Sequence, residues 1–291
     1  MNLANQPTCY VLLAAYNGER YIRSQILSIL RQTGILVELY IFVDPSKDRT
    51  RSICESYSRK YSNVHTNFND FSSGSAHANF YNIISSVSSK PIAASSYFAF
   101  SDQDDVWCRT KIISAINSLK SEECDGYSSN LTARQSNEKH HLIRKDLLPV
   151  KFDYLYESAS AGCTYVLNYD LFYSFSKFLA THPEVRGVSH DWAVYAFARF
   201  SNFRWYYSSD SLIIYRQHDS NVAGANIGFS GLLRRLTGFF KWYRGQQSIL
   251  YQLFHPSSDS QDCKYNLVFN MSRRKIHSLL LFVVKLFGII R

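Results

Sequence analysis

Tyr97-Phe-Ala-Phe-Ser-Asp-Gln-Asp-Asp-Val-Trp107 is the stretch whose reading decides the fold. Its first four residues, Tyr97 to Phe100, are apolar or aromatic and predict a short buried strand. They run into three carboxylates, Asp102, Asp104 and Asp105. Like charges repel and burial disfavours ionisation, so this much acid at the end of a core strand is costly. A divalent cation removes the conflict. Hard oxygen ligands at alternating positions suit Mg2+ or Mn2+, which also hold substrate phosphates. The competing reading is a solvated acidic turn that caps a helix starting near Thr110.

Working back toward the N-terminus, Cys9-Tyr-Val-Leu-Leu-Ala-Ala15 is another continuous apolar run, ending in Tyr16-Asn17-Gly18. It predicts a buried parallel strand delivering a tight loop. A helix follows, with Ile22, Ile26, Ile29 and Leu30 on one face. A second strand, residues 36–43, ends in Asp44-Pro45-Ser46-Lys47-Asp48, and Asp48 is the predicted N-cap of the next helix. A weaker strand near Val64 and a helix carrying Phe80, Ile83, Ile84 and Val87 lead back to Tyr97. Strand, loop and helix have then alternated four times along the sequence. That pattern predicts an α/β domain with a mostly parallel sheet and ligands at the strand C-termini.

Beyond the acidic loop, Ile112, Ile113, Ile116 and Leu119 mark a helix, and residues 126–131 predict one strand. Residues 133–146 are polar and include Lys139-His140-His141, which predicts a mobile loop. Residues 162–167 predict a strand, and His190-Asp191-Trp192 opens an apolar helix through Phe200. Further strands are expected near 203–207 and 212–215.

Composition narrows the class. At 291 residues the chain can bury a substantial core. Its six scattered cysteines suggest neither a zinc site nor a disulfide framework, which fits a reducing compartment. The net charge of +9 invites a nucleic-acid or an anionic-membrane partner. The basic residues cluster late, at Arg234-Arg235, Lys241, Arg244 and Arg273-Arg274-Lys275, and no common nucleic-acid-binding motif is present. A membrane surface is therefore the favoured partner. Residues 232–244 form a basic amphipathic pattern of the type that lies on membranes. The apolar run 279–290 is shorter than the roughly 20 residues that span a bilayer. The tail is thus either a membrane contact or a packed C-terminal helix.

Taken together, these motifs resemble family 2 glycosyltransferases with the GT-A (Rossmann-like) fold. The resemblance rests on Ala15-Tyr16-Asn17-Gly18-Glu19, Asp44-Pro45-Ser46 with Asp48, and Ser101-Asp-Gln-Asp-Asp-Val-Trp107, in that order and spacing. Gly162-Cys163-Thr164, His190-Asp191-Trp192 and Tyr215-Arg216-Gln217-His218 are similar to the rhamnosyltransferase-like branch that builds bacterial surface polysaccharides such as O-antigen. The resemblance implies a GT-A domain over residues 1–225, with a nucleotide-sugar-binding half to about 110 and an acceptor-binding half from about 111. Residues 226–291 are then a helical basic and hydrophobic extension. It further implies that Ala15, Tyr16, Asn17, Glu19, Asp44, Asn79, Asp102 and Arg216 bind the nucleotide-sugar. Asp104, Asp102 and His218 would hold Mn2+ or Mg2+. Asp191 would be the catalytic base, and Trp107, Gly162, Cys163, Thr164, His190 and Trp192 would meet the acceptor. One departure is Val43, where the family usually has a second acid before Asp44; Pro45 and Arg49 also replace residues that are commonly Gly.

The expected activity is an inverting, metal-dependent transfer from dTDP-rhamnose or a UDP-hexose to a hydroxyl of a lipid-linked bacterial glycan. The place of action would be the cytoplasmic face of the inner membrane, peripherally bound. Two rivals stand beside it. A nucleotidyltransferase would share the fold and acidic site, but it usually carries a Gly-rich basic loop after the first strand, which Ala14 to Glu19 lacks. A non-catalytic membrane-surface or nucleic-acid-binding module explains the charge and leaves the acidic cluster without a purpose. For Asp191, a plain helix-cap role competes with catalysis.

Overall fold

The computed structural model describes residues 6–134, 138–217, 243–254 and 272–273. In chain order, β1 (Thr8–Ala15), α1 (Ile22–Leu30), β2 (Leu36–Val43), α2 (Thr50–Lys60), β3 (Val64–Phe68), α3 (Ala76–Ser88) and β4 (Tyr97–Ser101) form the first half. There follow β5 (Val106–Trp107), α4 (Lys111–Ser121), β6 (Gly126–Ser129), β7 (Leu131–Arg134) and β8 (His140–Ile143). The remaining elements are β9 (Val166–Asn168), α5 (Tyr169–Thr181), α6 (His190–Phe200), β10 (Trp205–Ser208) and β11 (Ile213–Arg216).

A seven-stranded sheet in the order β10-β6-β9-β4-β1-β2-β3 carries the fold. Every pairing in it is parallel except those of β9, which runs antiparallel to both β4 and β6. The apolar runs of β1 and β4 are uninterrupted because both sheet faces are covered. In β1, Val11, Leu13 and Ala15 join a core shared with α1, α2 and α4, while Leu12 and Ala14 join one shared with α3, α5 and α6. Parallel pairing of β1 with β2 and with β4 brings the three C-terminal ends to one edge. The loops after Ala15, Val43 and Ser101 therefore meet, as a doubly wound sheet requires.

Several expectations need correction. Residues 126–131 are two strands in two sheets: β6 extends the large sheet, and β7 belongs to a four-stranded sheet in the order β5-β11-β7-β8. Asn130 sits buried at the break, where its amide donates to the Ser209 carbonyl at 3.0 Å and accepts the Asp146 N–H at 3.0 Å. The segment expected to be a loop at 133–146 contains β8, paired antiparallel with β7. Its apolar signal is weak because this strand lies at a sheet edge with His140, His141 and Leu142 exposed. Residues 162–164 form a 3-10 turn, and the strand begins at Val166. Arg49, not Asp48, precedes α2, although the Asp48 carboxylate still accepts the Thr50 N–H at 2.9 Å.

The predicted amphipathic helix at 232–244 lies outside the described residues up to 242, as do the 279–290 run and His218. What is described of the tail packs inward. Residues 243–254 are helical, and Leu250 and Phe254 belong to the same core as α5 and α6. Among the described residues no helix is long and apolar enough to cross a membrane.

Phe98 of β4 stacks on Phe172 of α5 with ring centroids 3.7 Å apart and planes 4° from parallel, both rings fully buried. Phe172→Ala should lower unfolding free energy by about 3–5 kcal/mol through lost transfer energy and an unfilled cavity. Urea titration followed by fluorescence measures it. A loss below about 1 kcal/mol would mean that the ring does not hold α5 on the sheet.

Candidate active site

The loops after β1 and β2 are bonded to one another through polar side chains. The Gly18 N–H donates to Thr50 Oγ1 at 2.7 Å, and the Glu19 N–H donates to Asp48 Oδ2 at 3.0 Å. Asn17 takes a left-handed backbone, φ 46°, which a short polar residue tolerates, and its side chain accepts the Lys47 N–H at 2.8 Å. The Glu19 carboxylate lies on the outer rim, occupied by Arg49 at 3.0 Å. Gln103, in the middle of the acidic loop, closes the third side. Its amide accepts the Tyr16 N–H and donates to the Tyr16 carbonyl, both at 2.8 Å. Gly18 makes this approach feasible, because a Cβ there would lie 2.2 Å from Gln103 Oε1. The Tyr16 ring stays half in solvent beside this clamp, and Ala15 is buried beneath it.

Asp44 is buried at the end of β2. Its Oδ1 accepts from the Asn69 amide at 2.7 Å and the Ser73 hydroxyl at 2.8 Å, and its Oδ2 accepts the Ser73 N–H at 3.1 Å. Asn79 stands behind, donating to the Phe42 carbonyl at 3.0 Å and accepting from Asn69 at 3.2 Å. A carboxylate has about four lone-pair directions. Three are used here, so Asp44 is fixed in orientation and keeps capacity on Oδ2. Asn79 supports Asn69 and Asp44 from within the core.

The acidic loop is the electrostatic centre. Ligand atoms of Asp102, Asp105 and Cys163 all lie within 4.8 Å of one another. Burial pushes the Asp102 carboxyl well above its ordinary range, and the charges of Asp105, Asp104 and Asp191 add to the rise. Asp105 is pushed up to about 7, by burial first and then by Asp104. Among the described residues, no N–H or O–H donor reaches either Asp105 oxygen, and the Cys163 thiol is their hydrogen-bonding neighbour. The Cys163 thiol beside it is driven well up by burial, so it remains protonated and a poor ligand. Lys111 is buried too, its ammonium 3.7 Å from the centre of the Trp107 ring and without a hydrogen-bond partner among the described residues. Burial lowers Lys111 to about 8, which leaves it charged at neutral pH. Arg216 reaches the same loop from β11, donating to Ser24 Oγ at 2.9 Å and to the Asp104 carbonyl at 3.2 Å.

This donor set fits a hard divalent cation. Two carboxylates meet at Asp102 with orphaned oxygens behind, and a third, Asp104, is half-buried beside them. The structure differs from expectation in detail: it gathers Asp105 with Asp102 and leaves Asp104 outside that trio.

Asp191 joins this group from far along the chain. It lies in the first turn of α6 and accepts the Trp192 N–H at 2.9 Å, so the cap-like bond is real. Ser189 is the N-cap residue. Burial raises the Asp191 carboxyl. Gly162 packs against this turn, where a Cβ would lie 3.2 Å from Asp191 Cβ and 2.5 Å from His190 Nε2. The remaining residues expected to meet an acceptor are set behind the surface. Trp107, Cys163, Thr164 and Trp192 are each 5% exposed or less, so they shape the wall and leave contact to others. Trp192 donates its indole N–H to the Tyr154 carbonyl at 2.8 Å. His190 stacks on Phe80 at 3.9 Å with Nε2 unpaired among the described residues.

Sequence reasoning missed Gln103, Lys111, Asn69, Ser73 and His77, whose imidazole feels the charge of Asp191. Lys111 carried a usable signal, since it stands four residues after Trp107 at the start of a helix. Nor did the apolar reading of α1 include its buried polar residues. There Ser28 accepts the Trp107 N–H at 3.1 Å, and Gln32 donates to the Cys108 carbonyl at 2.8 Å, which holds the acidic loop's far end.

With this geometry in view, the comparisons with known proteins agree. Residues 10–203 match the family described as Glycosyl transferase family 2. The dTDP-rhamnosyl transferase RfbG of Shigella flexneri is 37% identical over 239 residues, 80% of this chain and 81% of that protein. The UDP-Glc:alpha-D-GlcNAc-diphosphoundecaprenol beta-1,3-glucosyltransferase WfgD of Escherichia coli is 28% identical over 177 residues, 60% of this chain and 65% of that one. Among solved structures, mannosyltransferase PcManGT of Pyrobaculum calidifontis, in complex with GDP-Man and Mn2+, is similar in fold. It has TM-score 0.52 and 12% identity, covering 98% of this chain and 81% of that one.

Burial pushes the His190 imidazole down to about 3, with the nearby His77 charge as a second cause, against an ordinary value of 6.5. The folded protein therefore keeps His190 neutral where the unfolded chain binds a proton. Its stabilisation is full above pH 6.5 and is lost as pH falls toward 3. Between pH 6.5 and 5, wild type should lose about 1–2 kcal/mol more stability than His190→Phe. Urea denaturation of both at the two pH values measures the difference. Parallel profiles would place the imidazole in water.

Proposed function

The chain belongs to glycosyl transferase family 2, and from that premise we propose a particular chemistry for its transfer of sugar from a nucleotide-sugar in polysaccharide synthesis. The acceptor is a hydroxyl of a growing lipid-linked glycan, the donor is dTDP-rhamnose, with UDP-hexoses next, and the reaction inverts the anomeric centre. The donor choice is supported by the rhamnosyl transferase among the relatives, and the lipid-linked acceptor by the diphosphoundecaprenol named for another. A lipid-linked acceptor also puts the enzyme at the cytoplasmic membrane face.

One observation carries the reading. Gly162 packs on Asp191 in the first turn of α6 while its neighbour Cys163 lies with Asp102 and Asp105, which supports joining a buried base to the acidic loop. Asp44, held by Asn69 and Ser73, accepts the pyrimidine N3–H with its remaining capacity. The Gln103 clamp fixes the Tyr16 backbone against the base and ribose. Asp102 and Asp104 would hold a divalent cation, which when bound supplies positive charge to the leaving diphosphate. Arg216, bonded to the same loop, adds its own charge. Asp191 takes the proton of the acceptor hydroxyl as its oxygen attacks the anomeric carbon and the bond to the diphosphate breaks. One base and a single displacement give inversion. The rise that burial imposes on Asp191 makes it a stronger base when ionised.

Asp191→Asn preserves size and capping ability, because Asn caps helices as well as Asp. Turnover should fall roughly 10²–10⁴-fold, the usual contribution of a general base, with donor affinity and melting temperature close to wild type. Steady-state kinetics beside donor titration and a melting curve read all three. A variant that melts early yet turns over normally per folded molecule would make Asp191 a cap alone. For the cation, calorimetric titration with TDP should show binding strengthened by Mn2+ in wild type. In Asp104→Asn that dependence should be lost. Equal Mn2+ dependence in the variant would remove Asp104 from the site.

A further inference from the structure

We propose that Arg273, in the C-terminal segment, is a positioning residue of the transfer reaction: it bonds to both walls that hold Asp191. The inference rests on the reading of Asp191 as the base.

Arg273 was read from sequence as part of a basic cluster suited to a membrane. Instead its side chain is 3% exposed. The backbone N–H donates to Glu157 Oε1 at 2.7 Å, and Nε approaches the same oxygen at 3.2 Å. The guanidinium also donates to the Ala159 carbonyl at 2.8 Å and to the Ser158 carbonyl. On its other side, Nε lies 3.5 Å from Asp153 Oδ2. Its charge sits over the Tyr195 and Tyr207 rings, at 5.8 and 5.7 Å from their centres.

Each wall leads to Asp191. Asp153 is fully buried and is held by the Tyr195 hydroxyl at 2.8 Å and by Arg199 at 2.8 Å. Tyr195 and Arg199 follow Asp191 on α6 at intervals of four residues, which places all three along one helix face. Anchoring two later turns of a rigid helix fixes where its first turn points. The second wall is the segment 157–160, whose Ala159 N–H donates to the Tyr165 hydroxyl at 3.1 Å. It continues into Gly162, the residue packed directly on His190 and Asp191. Tyr165 lies where both Asp191 and Arg273 act on it electrostatically.

Without the guanidinium, the Ser158 and Ala159 carbonyls lose this donor, and Asp153 keeps Arg199 but loses the charge of Arg273. The base then shifts relative to the donor, and displacements of about 1 Å caused far from the chemistry can cost about 10²-fold in rate. Lysine offers a point charge without the planar fork, so it should restore only part of the effect.

Full-length Arg273→Met and Arg273→Lys are measured in wild-type and Asp191→Asn backgrounds, with Leu250→Ala as a packing control in the same core. The expected result is a fall in kcat of roughly 10–100-fold for Arg273→Met, less for Arg273→Lys, with the TDP dissociation constant within about twofold. Leu250→Ala should show no such fall per folded molecule. In the Asp191→Asn background the Arg273→Met factor should shrink toward one, because the group it positions is already gone. An equal factor in both backgrounds, or a loss matched by Leu250→Ala at the same folded fraction, would reduce Arg273 to a structural role. Should Arg273→Met fail to fold, the same cycle with Arg273→Lys decides. Full turnover of Asp191→Asn alone overturns the base assignment, and this inference with it. An inactive Asp191→Asn beside a fully active Arg273→Met overturns only the inference.

Discussion

Asp102 experiences the negative charges of Asp105, Asp104 and Asp191 together, in surroundings where burial already opposes ionisation. The rest of the cleft is arranged around that repulsion. A direct buried ion pair would relieve it and would also occupy the carboxylates. The protein uses a looser compensation. Lys111 rests on the face of Trp107 and makes no hydrogen bond to Asp105, so it moderates the local field without itself occupying the oxygens. Arg216 is bonded to a backbone carbonyl of the same loop and brings its charge to the acidic residues. Lone pairs that are costly in the protein alone are thus left available to a cation of the kind proposed above.

Such a centre works only if its surroundings do not relax, and the hydrogen bonds around it are disposed to prevent that. Gln103 ties the acidic loop to the backbone of Tyr16. The loop after β1 is tied in turn to the loop after β2 through Thr50 and Asp48. Asp44 is gripped by Asn69 and Ser73, with Asn79 behind. The three strand ends delivered by the parallel sheet are joined by side chains that otherwise look like ordinary loop residues. Preorganised dipoles of this kind act on developing charge without first having to reorient.

What the sequence revealed follows from how local each signal was. β1 and β4 were readable because strands covered on both faces must be apolar throughout. β8 was not, because an edge strand with its side chains in solvent carries the composition of a loop. The division between β6 and β7 depends on what Asn130 bonds across the fold, which no neighbouring residue announces. Asp44, Asp102, Asp104 and Asp191 could be singled out because carboxylates at strand ends and helix starts are chemically conspicuous. Gln103 stood among them and was passed over, since an amide on a turn has many innocent uses. Trp107 was expected to meet the acceptor. Its burial against Lys111 depends on α4 folding back, a tertiary fact.

The two halves of the cleft also differ in how much of the chain they need. The side proposed to hold the donor is assembled, Arg216 apart, from strands and loops up to residue 105, joined by successive crossovers of one sheet. The side proposed to supply the base needs α6, whose first turn carries Asp191, and a helix start is the part of a helix with fewest internal bonds. Ser189 supplies no side-chain cap there, and the carboxylate that could stabilise the turn is the one assigned to chemistry. Stability must therefore come from further along. Tyr195 and Arg199 supply it by gripping Asp153, and Arg273 completes that grip from the end of the chain. With the helix held from further along, the Asp191 carboxylate spends one acceptor position on the Trp192 N–H and keeps capacity for the acceptor hydroxyl it is proposed to serve.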